Sequence, residues 1–471
     1  MNKLKFTKLI ATCGPSTGSR EVISSMIDEG VDAFRINFSH GDIEEWSNII
    51  GIIKQLREEK NKDIAIIGDL QGPRIRVSHH IKKLFLNKEE TYFLNNQNKS
   101  PSDMSILLDN PHFIDNISVG DRVVFSDGKI EGTIIGITND YAEMKVISGG
   151  ILEPGKGVNI VGRDIDLPSI TGKDSKDIGF AIKHGLDFIA LSFIKSARDV
   201  KHLKDIIHSS SSEIKVISKI ETALAIDNLD EIIDESFGIL LARGDLGVAF
   251  PVSDIPILQR KIIKKCIKKG KPSIVATQLM ESMINNPIPT RAEVTDVSNA
   301  IIEGTDALLL TGETAVGKYP IKTISFTKEV ALKSENYIRE HAVHYLTDDD
   351  GTISFSIANS AKRISDNPEI KKIIAFTESG TTAIYVARNR PHVPIIALTD
   401  NNIVARKLSI VRGVYTEVIN YFTSFDGAIN TVGTILKKLN YATSGDIICI
   451  TAGLPFGEKG NTNILKIHKI L

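Results

Sequence analysis

The segment 215–221, KVISKIE, is the part of the sequence that indicates the fold most clearly. It begins as an apolar, β-prone run of the kind that forms a buried strand, and it ends in Lys219 and Glu221 on either side of Ile220. Two other apolar runs also end in polar residues, namely Gly238–Ala242 before Arg243-Gly244-Asp245 and Ser273–Ala276 before Thr277-Gln278. If these runs are neighbouring parallel strands of a barrel, their polar ends meet at one mouth. The sequence therefore predicts a site where an ammonium group, two carboxylates and a hydroxyl converge.

Eight short apolar runs, each followed by helix-like sequence, occur along the chain. Runs rich in Ile, Val and Leu that alternate with amphipathic segments are typical of buried parallel strands in βα units. Their positions are Lys8–Cys13, Ala33–Phe38, Ala65–Asp69, Phe188–Ser192, Lys215–Ile220, Gly238–Ala242, Ser273–Thr277 and Ala307–Thr311. Because a TIM barrel consists of eight such units, the pattern predicts a (β/α)8 barrel as the main domain.

Two stretches depart from the βα pattern. Between about residues 78 and 162, turn signals such as Pro154-Gly155 separate short β-prone runs, which predicts an inserted all-β domain. An insertion after a barrel strand hangs over the mouth, so we expect a lid. After the barrel, strands are predicted at Lys371–Thr377, Pro394–Thr399, Gly413–Glu417 and Asp446–Thr451, as in a C-terminal α/β domain with an open parallel sheet. The predicted boundaries are 1–76 and 164–340 for the barrel, 77–163 for the lid domain and 341–471 for the C-terminal domain.

The composition excludes several classes of protein. The 471 residues are 42% apolar and 24% charged, and the formal net charge is −1. These values are typical of a multidomain globular protein and not of one that binds nucleic acid or a membrane surface. We expect no membrane span and no signal peptide. The few, distant cysteines Cys13, Cys266 and Cys449 predict reduced thiols and a cytoplasmic location.

The charges at the predicted mouth suit a metal ion and a phosphate. Glu221 and Asp245 are hard oxygen ligands, and two carboxylates completed by substrate oxygens and water are a common arrangement for Mg²⁺ or Mn²⁺. Lys219 and Arg35 are cations of the kind that bind a phosphoryl group during its transfer, so we expect them to serve as phosphate ligands. Packing alone does not explain such charges, because burying them without a partner ion or ligand is unfavourable. The alternative is a structural ion pair between Lys219 and Glu221.

Several longer motifs occur in a fixed order along the whole chain. They are Arg35-Ile36-Asn37-Phe38-Ser39-His40-Gly41, Ile217-Ser218-Lys219-Ile220-Glu221, Ala242-Arg243-Gly244-Asp245-Leu246-Gly247, Ala276-Thr277-Gln278, Pro289-Thr290-Arg291-Ala292-Glu293 and Leu310-Thr311-Gly312-Glu313-Thr314-Ala315. In this order the sequence resembles the pyruvate kinase family. The resemblance implies Mg²⁺-dependent phosphoryl transfer from phosphoenolpyruvate to ADP in glycolysis, giving pyruvate and ATP. It also implies a homotetramer.

The resemblance assigns roles to particular positions of this sequence. Arg35 would hold the phosphate of phosphoenolpyruvate, and Lys219 would stabilise the phosphoryl group in flight. Thr277 would assist protonation of the enolpyruvate carbon. The remaining implied roles are Mg²⁺ binding by Glu221 and Asp245, binding of the substrate carboxylate by backbone groups at Gly244 and Asp245, and binding of nucleotide phosphates by His40, Arg76 and Lys173.

One position departs from the family pattern. Many members need K⁺, which residues matching Asn37, Ser39, Asp69 and the carbonyl of Leu70 would hold. The family's third strand continues Asp-Thr-Lys-Gly-Pro-Glu, but this sequence reads Asp69-Leu70-Gln71-Gly72-Pro73-Arg74. Arg74 thus places a fixed cation where the family has an acid. We expect Arg74 to replace the monovalent ion, so that K⁺ is not required. The alternative is that Arg74 turns outward at the lid hinge.

The C-terminal domain contains candidate effector residues. Thr377, Ser379, Gly380, Thr381 and Thr382 follow a strand and open a helix, where hydroxyls and free N–H groups form a phosphate nest. A second loop contains Gly453, Gly457, Lys459, Gly460 and Thr462. The resemblance implies a phosphorylated effector in this region. The alternative is an ordinary helix N-cap and a surface loop.

Two other functions fit parts of this pattern. An inactive, metabolite-sensing protein on the same fold would be expected to lack at least one of Arg35, Lys219, Glu221 and Asp245, and all four are present. A lyase acting on a pyruvate enolate would share the Mg²⁺ carboxylates, but it would not need a lid that binds ADP. The sequence therefore favours an active kinase.

Overall fold

The computed structural model describes residues 4–96, 104–110, 113–126, 128–162, 167–341, 343, 345, 347–419, 425–455 and 462–471. The chain begins with three strands and two helices of a βα barrel. They are β1 (Lys8–Thr12), α1 (Arg20–Glu29), β2 (Ala33–Asn37), α2 (Ile43–Lys60) and β3 (Ala65–Asp69). Helix α1 is capped at both ends. At its start the Ser19 side chain accepts a hydrogen bond from the backbone N–H of Val22, and at its end Gly30 takes the left-handed conformation.

The chain then leaves the barrel for an all-β insertion, as the sequence predicts. Its strands are β4 (Ile75–Arg76), β5 (Leu84–Leu86), β6 (Thr91–Asn95), β7 (Ser105–Leu107), β8 (Arg122–Phe125), β9 (Ile130–Ile137), β10 (Tyr141–Ser148), β11 (Gly150–Leu152) and β12 (Gly157–Ile160). Seven of them form one sheet in the order β4-β12-β8-β9-β10-β6-β7, and β11 pairs with β5. The first strand, β4, lies in the segment that we assigned to the barrel but pairs with β12 of the lid sheet.

The remaining barrel elements follow the insertion. They are α3 (Gly172–Lys183), β13 (Phe188–Leu191), α4 (Ala197–Ser209), β14 (Lys215–Ile220), α5 (Ala223–Asp227), α6 (Leu229–Glu235), β15 (Gly238–Ala242), α7 (Arg243–Ala249), α8 (Ile255–Lys269), β16 (Ser273–Ala276), α9 (Arg291–Ile302), β17 (Ala307–Leu310), α10 (Gly312–Ala315) and α11 (Pro320–Glu340). Eight parallel strands close a barrel in the order β1-β17-β16-β15-β14-β13-β3-β2. The predicted TIM barrel is confirmed.

Apolar side chains fill the barrel interior. Ile67, Ile217, Leu240, Ile274 and Leu309 belong to one buried cluster drawn from five different strands. The interior is therefore a packed core rather than a pore, and chemistry is confined to the ends of the barrel.

The C-terminal part forms an α/β domain. Its elements are α12 (Ile353–Ser365), β18 (Ile370–Phe376), α13 (Thr381–Arg388), β19 (Ile395–Thr399), α14 (Asn402–Leu408), β20 (Val414–Val418), α15 (Phe425–Lys438), β21 (Ile447–Ala452) and β22 (Ile464–Lys469). The strand order is β20-β19-β18-β21-β22. The expectation of a purely parallel sheet was wrong at one edge, because β22 runs antiparallel to β21. The half-exposed, alternating sequence of β22 lacks the continuous apolar run by which the buried strands were recognised.

Arginines of the C-terminal domain bind acids at the amino-terminal end of the barrel. Both guanidinium nitrogens Nη1 and Nη2 of Arg390 donate to Asp306, just before β17, at 2.8 Å. Arg406 Nε donates to Asp187, just before β13, at 2.6 Å. The two domains therefore share buried ion pairs at the end of the barrel opposite the predicted mouth. None of the helices in the described ranges is both long and apolar enough to cross a membrane.

Candidate active site

A cleft of about 710 Å³ lies between the carboxyl end of the barrel and the lid domain. Most of the residues that we singled out at the mouth line it, namely Arg35, Asn37, Ser39, His40, Asp69, Leu70, Arg74, Arg76, Lys219, Glu221 and Asp245. These residues come from segments far apart in the chain, and the closed barrel brings them to one mouth. The predicted convergence of an ammonium group and two carboxylates is therefore present in the structure.

Lys219 lies at the centre of the charged cluster. Its Nζ is 2.8 Å from Glu221 Oε1 and 3.3 Å from Asp69 Oδ1, and it donates to Ser192 Oγ at 2.8 Å. Burial alone would lower the pKa of this ammonium group, but Asp69 and then Glu221 outweigh burial and raise the pKa above its ordinary value. The raised pKa favours the charged form of Lys219.

The two buried carboxylates beside Lys219 each have one oxygen that faces the ammonium group of Lys219 rather than a backbone or arginine N–H. These atoms are Glu221 Oε1 and Asp69 Oδ1, and both lie within ion-pair distance of the Lys219 ammonium group. The other oxygen of Glu221 accepts from the backbone N–H of Phe193 at 2.8 Å. Burial raises the pKa of Glu221, with Lys219 opposing and Asp245 adding to the shift. A buried carboxylate oxygen held by a single ammonium group is suited to exchange that partner for a bound cation.

The described residues contain no group of three or more His, Cys, Asp or Glu side chains arranged to hold a metal ion. At this mouth the protein offers the carboxylates of Glu221 and Asp245, which line the same cleft. The site therefore fits a hard divalent cation that takes its remaining ligands from substrate oxygens and water.

Arg35 is held in the cleft wall by its neighbours. Its Nε donates to Asp69 Oδ2 at 2.6 Å and its Nη1 to Thr12 Oγ1 at 3.1 Å. Burial raises the pKa of Asp69, but Arg35 and then Lys219 outweigh burial and hold this pKa below its ordinary value. Asp69 is therefore an ionised counter-ion for both phosphate-binding candidates. This arrangement places two cations side by side, as the binding of a phosphoryl group requires.

Arg74 turns into the cleft rather than outward. Its Nη2 donates to Asp245 Oδ1 at 2.8 Å, and its guanidinium lies 5.9 Å from the centre of the Phe193 ring. Arg74 lines the same cleft as Asn37 and Ser39, and it forms an ion pair with the predicted metal ligand Asp245. The outward alternative for Arg74 is therefore not what the structure shows.

Thr277 and Gln278 have a strained backbone next to this cluster. Their φ angles are +68° and +53°, and a positive φ is a genuine outlier for a β-branched residue such as Thr277. Arg243 Nη2 donates to the carbonyl oxygens of both residues, at 2.6 and 3.2 Å, and its Nη1 donates to Asp296 at 2.6 Å. The Thr277 hydroxyl accepts from the backbone N–H of Gly244 at 2.9 Å. Arg243 thus holds the predicted proton-transfer residue against the start of α7.

The nucleotide candidates divide into two groups. His40 and Arg76 line the cleft. The pKa of His40 is lowered below its ordinary value, mainly by burial and further by the nearby charges of Arg76 and Arg35. Lys173 lies instead against the loop after β2, where its Nζ donates to the Phe38 carbonyl at 2.5 Å and to Asp177 at 2.6 Å. Its ammonium group is 5.4 Å from the ring of Trp46. The structure therefore brings His40 and Arg76 together and places Lys173 beside the loop that carries His40.

The comparisons with known proteins agree with this geometry. The family models "Pyruvate kinase, barrel domain" and "Pyruvate kinase, alpha/beta domain" match residues 4–324 and 356–468. The pyruvate kinase of Geobacillus stearothermophilus is 36% identical over 472 residues, which are 98% of this chain and 80% of that protein. A pyruvate kinase of Staphylococcus epidermidis is 37% identical over 477 residues, covering 99% of this chain and 81% of its own. The chain belongs to the pyruvate kinase family.

A solved structure extends the likeness to the whole fold. A pyruvate kinase from Cryptosporidium parvum has a TM-score of 0.92 and 33% identity to this chain, and the match covers 99% of this chain and 96% of the other. The chain is therefore a phosphotransferase of the pyruvate kinase type, and the family and fold implied by the sequence motifs are confirmed.

Three residues of the pyruvate kinase mouth were given no role by the sequence interpretation. Ser192 accepts from Lys219 and donates to the Leu70 carbonyl at 2.7 Å. Phe193, with a φ of +52°, aims its backbone N–H at Glu221, and Asp296 on α9 binds Arg243. Ser192 carried a usable signal, since it directly follows a barrel strand. Phe193 and Asp296 carried none, because backbone conformation and helix-to-loop contacts leave no pattern in one sequence.

The effector candidates lie together at the start of α13. Gly380, with a φ of +90°, donates its N–H to Thr377 Oγ1 at 2.9 Å, and the hydroxyls of Ser379 and Thr381 are 2.8 Å apart. Thr382 Oγ1 lies 2.8 Å from Thr462 Oγ1 of the second candidate loop. Gly453 also belongs to the described chain, whereas Gly457, Lys459 and Gly460 lie outside the described residues.

Proposed function

We propose that this member of the pyruvate kinase family transfers a phosphoryl group from phosphoenolpyruvate to ADP with Mg²⁺ or Mn²⁺, without needing K⁺. The observation that carries the proposal is the position of Lys219, whose ammonium group lies within 3.3 Å of Asp69 and Glu221 at the barrel mouth. Phosphoryl transfer requires positioning and charge neutralisation more than it requires a covalent nucleophile. The same cleft supplies a second cation, Arg35, and the carboxylates of Glu221 and Asp245.

The phosphate of phosphoenolpyruvate would bind between Arg35 and Lys219. Both side chains already lie in the cleft wall, and Asp69 contacts both of them. As the bond from phosphorus to the enol oxygen breaks and the bond to an ADP oxygen forms, Lys219 stays within reach of the charge on the moving group. A divalent cation held by Glu221 and Asp245 would neutralise the negative oxygens of the bound substrate.

The enolate left by phosphoryl transfer takes up a proton on its methylene carbon to give pyruvate. We assign the positioning of this proton to the Thr277 hydroxyl, which is fixed by the N–H of Gly244 and by the strained backbone. The N–H groups that begin a helix have no partner within the helix, so we assign the substrate carboxylate to the N–H of Asp245 in the first turn of α7, whereas the N–H of Gly244 is bound to Thr277. ADP phosphates would approach from the lid side, next to His40, Arg76 and Lys173.

The deciding assay couples pyruvate formation to NADH oxidation by lactate dehydrogenase, with phosphoenolpyruvate and Mg²⁺ present. A pyruvate kinase forms pyruvate only when ADP is added. Pyruvate formation without ADP would indicate a lyase or phosphatase reaction, and no pyruvate under either condition would indicate an inactive binding protein. A parallel titration with EDTA and then with Mg²⁺ or Mn²⁺ tests the metal requirement.

The independence from K⁺ follows from Arg74. Its guanidinium lies in the same cleft as Asn37, Ser39, Asp69 and the backbone of Leu70. It thus supplies a fixed positive charge to the region where other members of the family would hold a monovalent ion. We expect the same kcat in Tris or Na⁺ buffers with and without K⁺, and K⁺ activation in the Arg74→Glu variant. Strong K⁺ activation of the wild-type enzyme would contradict this proposal.

The assembly, regulation and location belong to the same proposal. Large apolar side chains are exposed on the barrel near α8 and α9, with Val252 at 77%, Ile257 at 65% and Ile288 at 62%, as expected of a face covered in a homotetramer. The hydroxyl groups at 377–382 remain the proposed site for a phosphorylated effector. Buried free thiols agree with a cytoplasmic enzyme. Light scattering at assay concentration measures the subunit number, and a dimer or monomer would overturn the tetramer.

A further inference from the structure

Arg74 has a second property that does not follow from replacing K⁺. Its guanidinium makes an ion pair with Asp245, the carboxylate that we assign to the divalent cation. The side chains of Arg74 and Asp245 are 22% and 24% exposed, so water and ions reach this pair from the cleft. A cation of the protein therefore lies on the carboxylate that the metal ion needs.

The lid domain supports the guanidinium from the other side. A Cβ atom added to Gly157 at the start of β12 would lie only 3.0 Å from Arg74 Nε, which is tighter than normal contact. Glycine at this position thus leaves the room that the guanidinium occupies. Arg74 also precedes β4 directly, and β4 pairs with β12. The guanidinium of Arg74 therefore lies between Gly157 of the lid sheet and the Asp245 carboxylate of the barrel mouth.

We propose that Arg74 is a gate on the metal site. In the metal-free enzyme its guanidinium neutralises Asp245, and a divalent cation binds by displacing it toward the neighbouring region of Asn37 and Ser39, where it serves in place of K⁺. This inference rests on the proposed function, since it takes Asp245 as a metal ligand. The physical reason is repulsion, because a fixed positive charge within hydrogen-bond distance of the ligand oxygen opposes the approach of a second cation.

The experiment measures Mn²⁺ binding to the full-length enzyme without substrate or nucleotide. Electron paramagnetic resonance reports free Mn²⁺ at fixed ionic strength in K⁺-free buffer, so no turnover is needed. We expect Arg74→Gln to bind Mn²⁺ about tenfold more tightly than the wild type, because a competing charge has been removed. Arg74→Lys keeps the charge and is the matched control, with a Kd close to the wild-type value. Thermal melting verifies that each variant is folded.

The outcomes separate this inference from the proposed function. Equal or weaker Mn²⁺ binding by Arg74→Gln would overturn the gate, as would equally tight binding by Arg74→Gln and Arg74→Lys. Asp245→Asn tests the metal assignment itself, and we expect it to lose most of the Mn²⁺ affinity of the free enzyme. If Asp245→Asn bound Mn²⁺ as well as the wild type, the proposed metal site would fail. If only Arg74→Gln behaved unexpectedly, the gate alone would fail.

Discussion

Both ends of the barrel contain buried carboxylates, but the groups that bind these carboxylates differ between the two ends. At the amino-terminal end, each carboxylate oxygen of Asp187 and Asp306 accepts at least one hydrogen bond, from arginines and from backbone N–H groups. At the mouth, one oxygen of Asp69 and one of Glu221 face the same ammonium group, that of Lys219, at 3.3 and 2.8 Å. Buried carboxylates are therefore fixed by arginines and backbone N–H groups at one end, whereas at the mouth two of them share one lysine that a bound cation can replace.

Backbone conformation shows the same contrast. The mouth contains Phe193, Thr277 and Gln278 with positive φ angles, immediately after barrel strands β13 and β16. Such conformations are held by surrounding contacts and concentrate at functional sites. The amino-terminal end instead joins the barrel to the C-terminal domain through ion pairs buried on both sides, such as Arg390 with Asp306. We infer that the amino-terminal end stabilises the enzyme and that the mouth keeps a strained backbone and a shared lysine for the reaction.

Among the substitutions at the amino-terminal end of the barrel, we expect Arg390→Met to lower the free energy of unfolding the most. The change leaves the Asp306 carboxylate buried without its partner, and removing one member of a buried ion pair destabilises a protein by roughly 3–5 kcal/mol. We expect a loss of this size in urea unfolding, together with a kcat close to the wild-type value for the protein that remains folded. Circular dichroism follows the unfolding, and the coupled assay gives kcat.

The exposed pair of Arg20 with Glu59 provides the control for this variant. These side chains are 38% and 56% exposed, and exposed pairs contribute only about 0–1 kcal/mol. Arg20→Met should therefore change the unfolding midpoint far less than Arg390→Met. If both variants unfolded at the same urea concentration, or if Arg390→Met lost kcat without losing stability, the proposed division between the two ends would be wrong.

Lys219→Met changes the mouth of the barrel instead, and it should affect the rate of the reaction. We expect kcat to fall by roughly 10²–10³ or more, because the cation that accompanies the phosphoryl group is lost, while phosphoenolpyruvate still binds through Arg35. Stopped assays measure kcat, and equilibrium dialysis measures binding of phosphoenolpyruvate. Arg390→Met is the reciprocal control, since it should lose stability and keep kcat. A near-wild-type kcat in Lys219→Met would remove this residue from the mechanism.

Much of this contrast could be predicted from the sequence. Each of the eight barrel strands begins at its predicted residue and ends within one residue of prediction, because a buried parallel strand is a continuous apolar run whose carboxyl end is polar. The same rule placed Lys219, Glu221 and Asp245 at one mouth. The strand β22 was missed because its half-exposed pattern has no such run. Local patterns thus predict elements that are buried on both faces better than those at an edge.

Contacts between remote segments could not be predicted in this way. The sequence placed a cation at Arg74 but did not show that it would meet Asp245, which lies 171 positions further along the chain. Likewise, Arg243 was recognised as a polar residue after a strand, but its hold on Thr277 depends on a backbone conformation that only the fold reveals. Side-chain partners depend on how loops cross the mouth, and one sequence carries no signal for that.

Arg243→Lys tests the strained backbone of the mouth, because it weakens the contacts of residue 243 with Thr277 and Gln278 without changing the charge. Lysine cannot donate to two carbonyls and to Asp296 in the fixed fork of a guanidinium, so Thr277 loses part of its support. We expect kcat to fall about tenfold with little change in KM for phosphoenolpyruvate, since small misplacements of a positioned group reduce rate more than binding. Asp296→Asn, which leaves both carbonyl contacts in place, should have a smaller effect. An unchanged kcat in Arg243→Lys would show that Thr277 does not depend on Arg243.

The smallest expected effect concerns His40 at the rim of the mouth. In the free enzyme, the pKa of His40 is lowered mainly by burial and further by the charges of Arg76 and Arg35, so His40 is neutral at neutral pH. The negative phosphates of bound ADP would raise the pKa of His40. Between this higher pKa and the lower pKa of the free enzyme, binding of ADP is accompanied by protonation of His40, so ADP binds more tightly as the pH falls. We expect KM for ADP to decrease about threefold from pH 7.5 to 6 in the wild type, relative to His40→Gln. The ratio of the two enzymes cancels the protonation of ADP itself. Identical pH profiles would show that His40 does not contact the nucleotide phosphates.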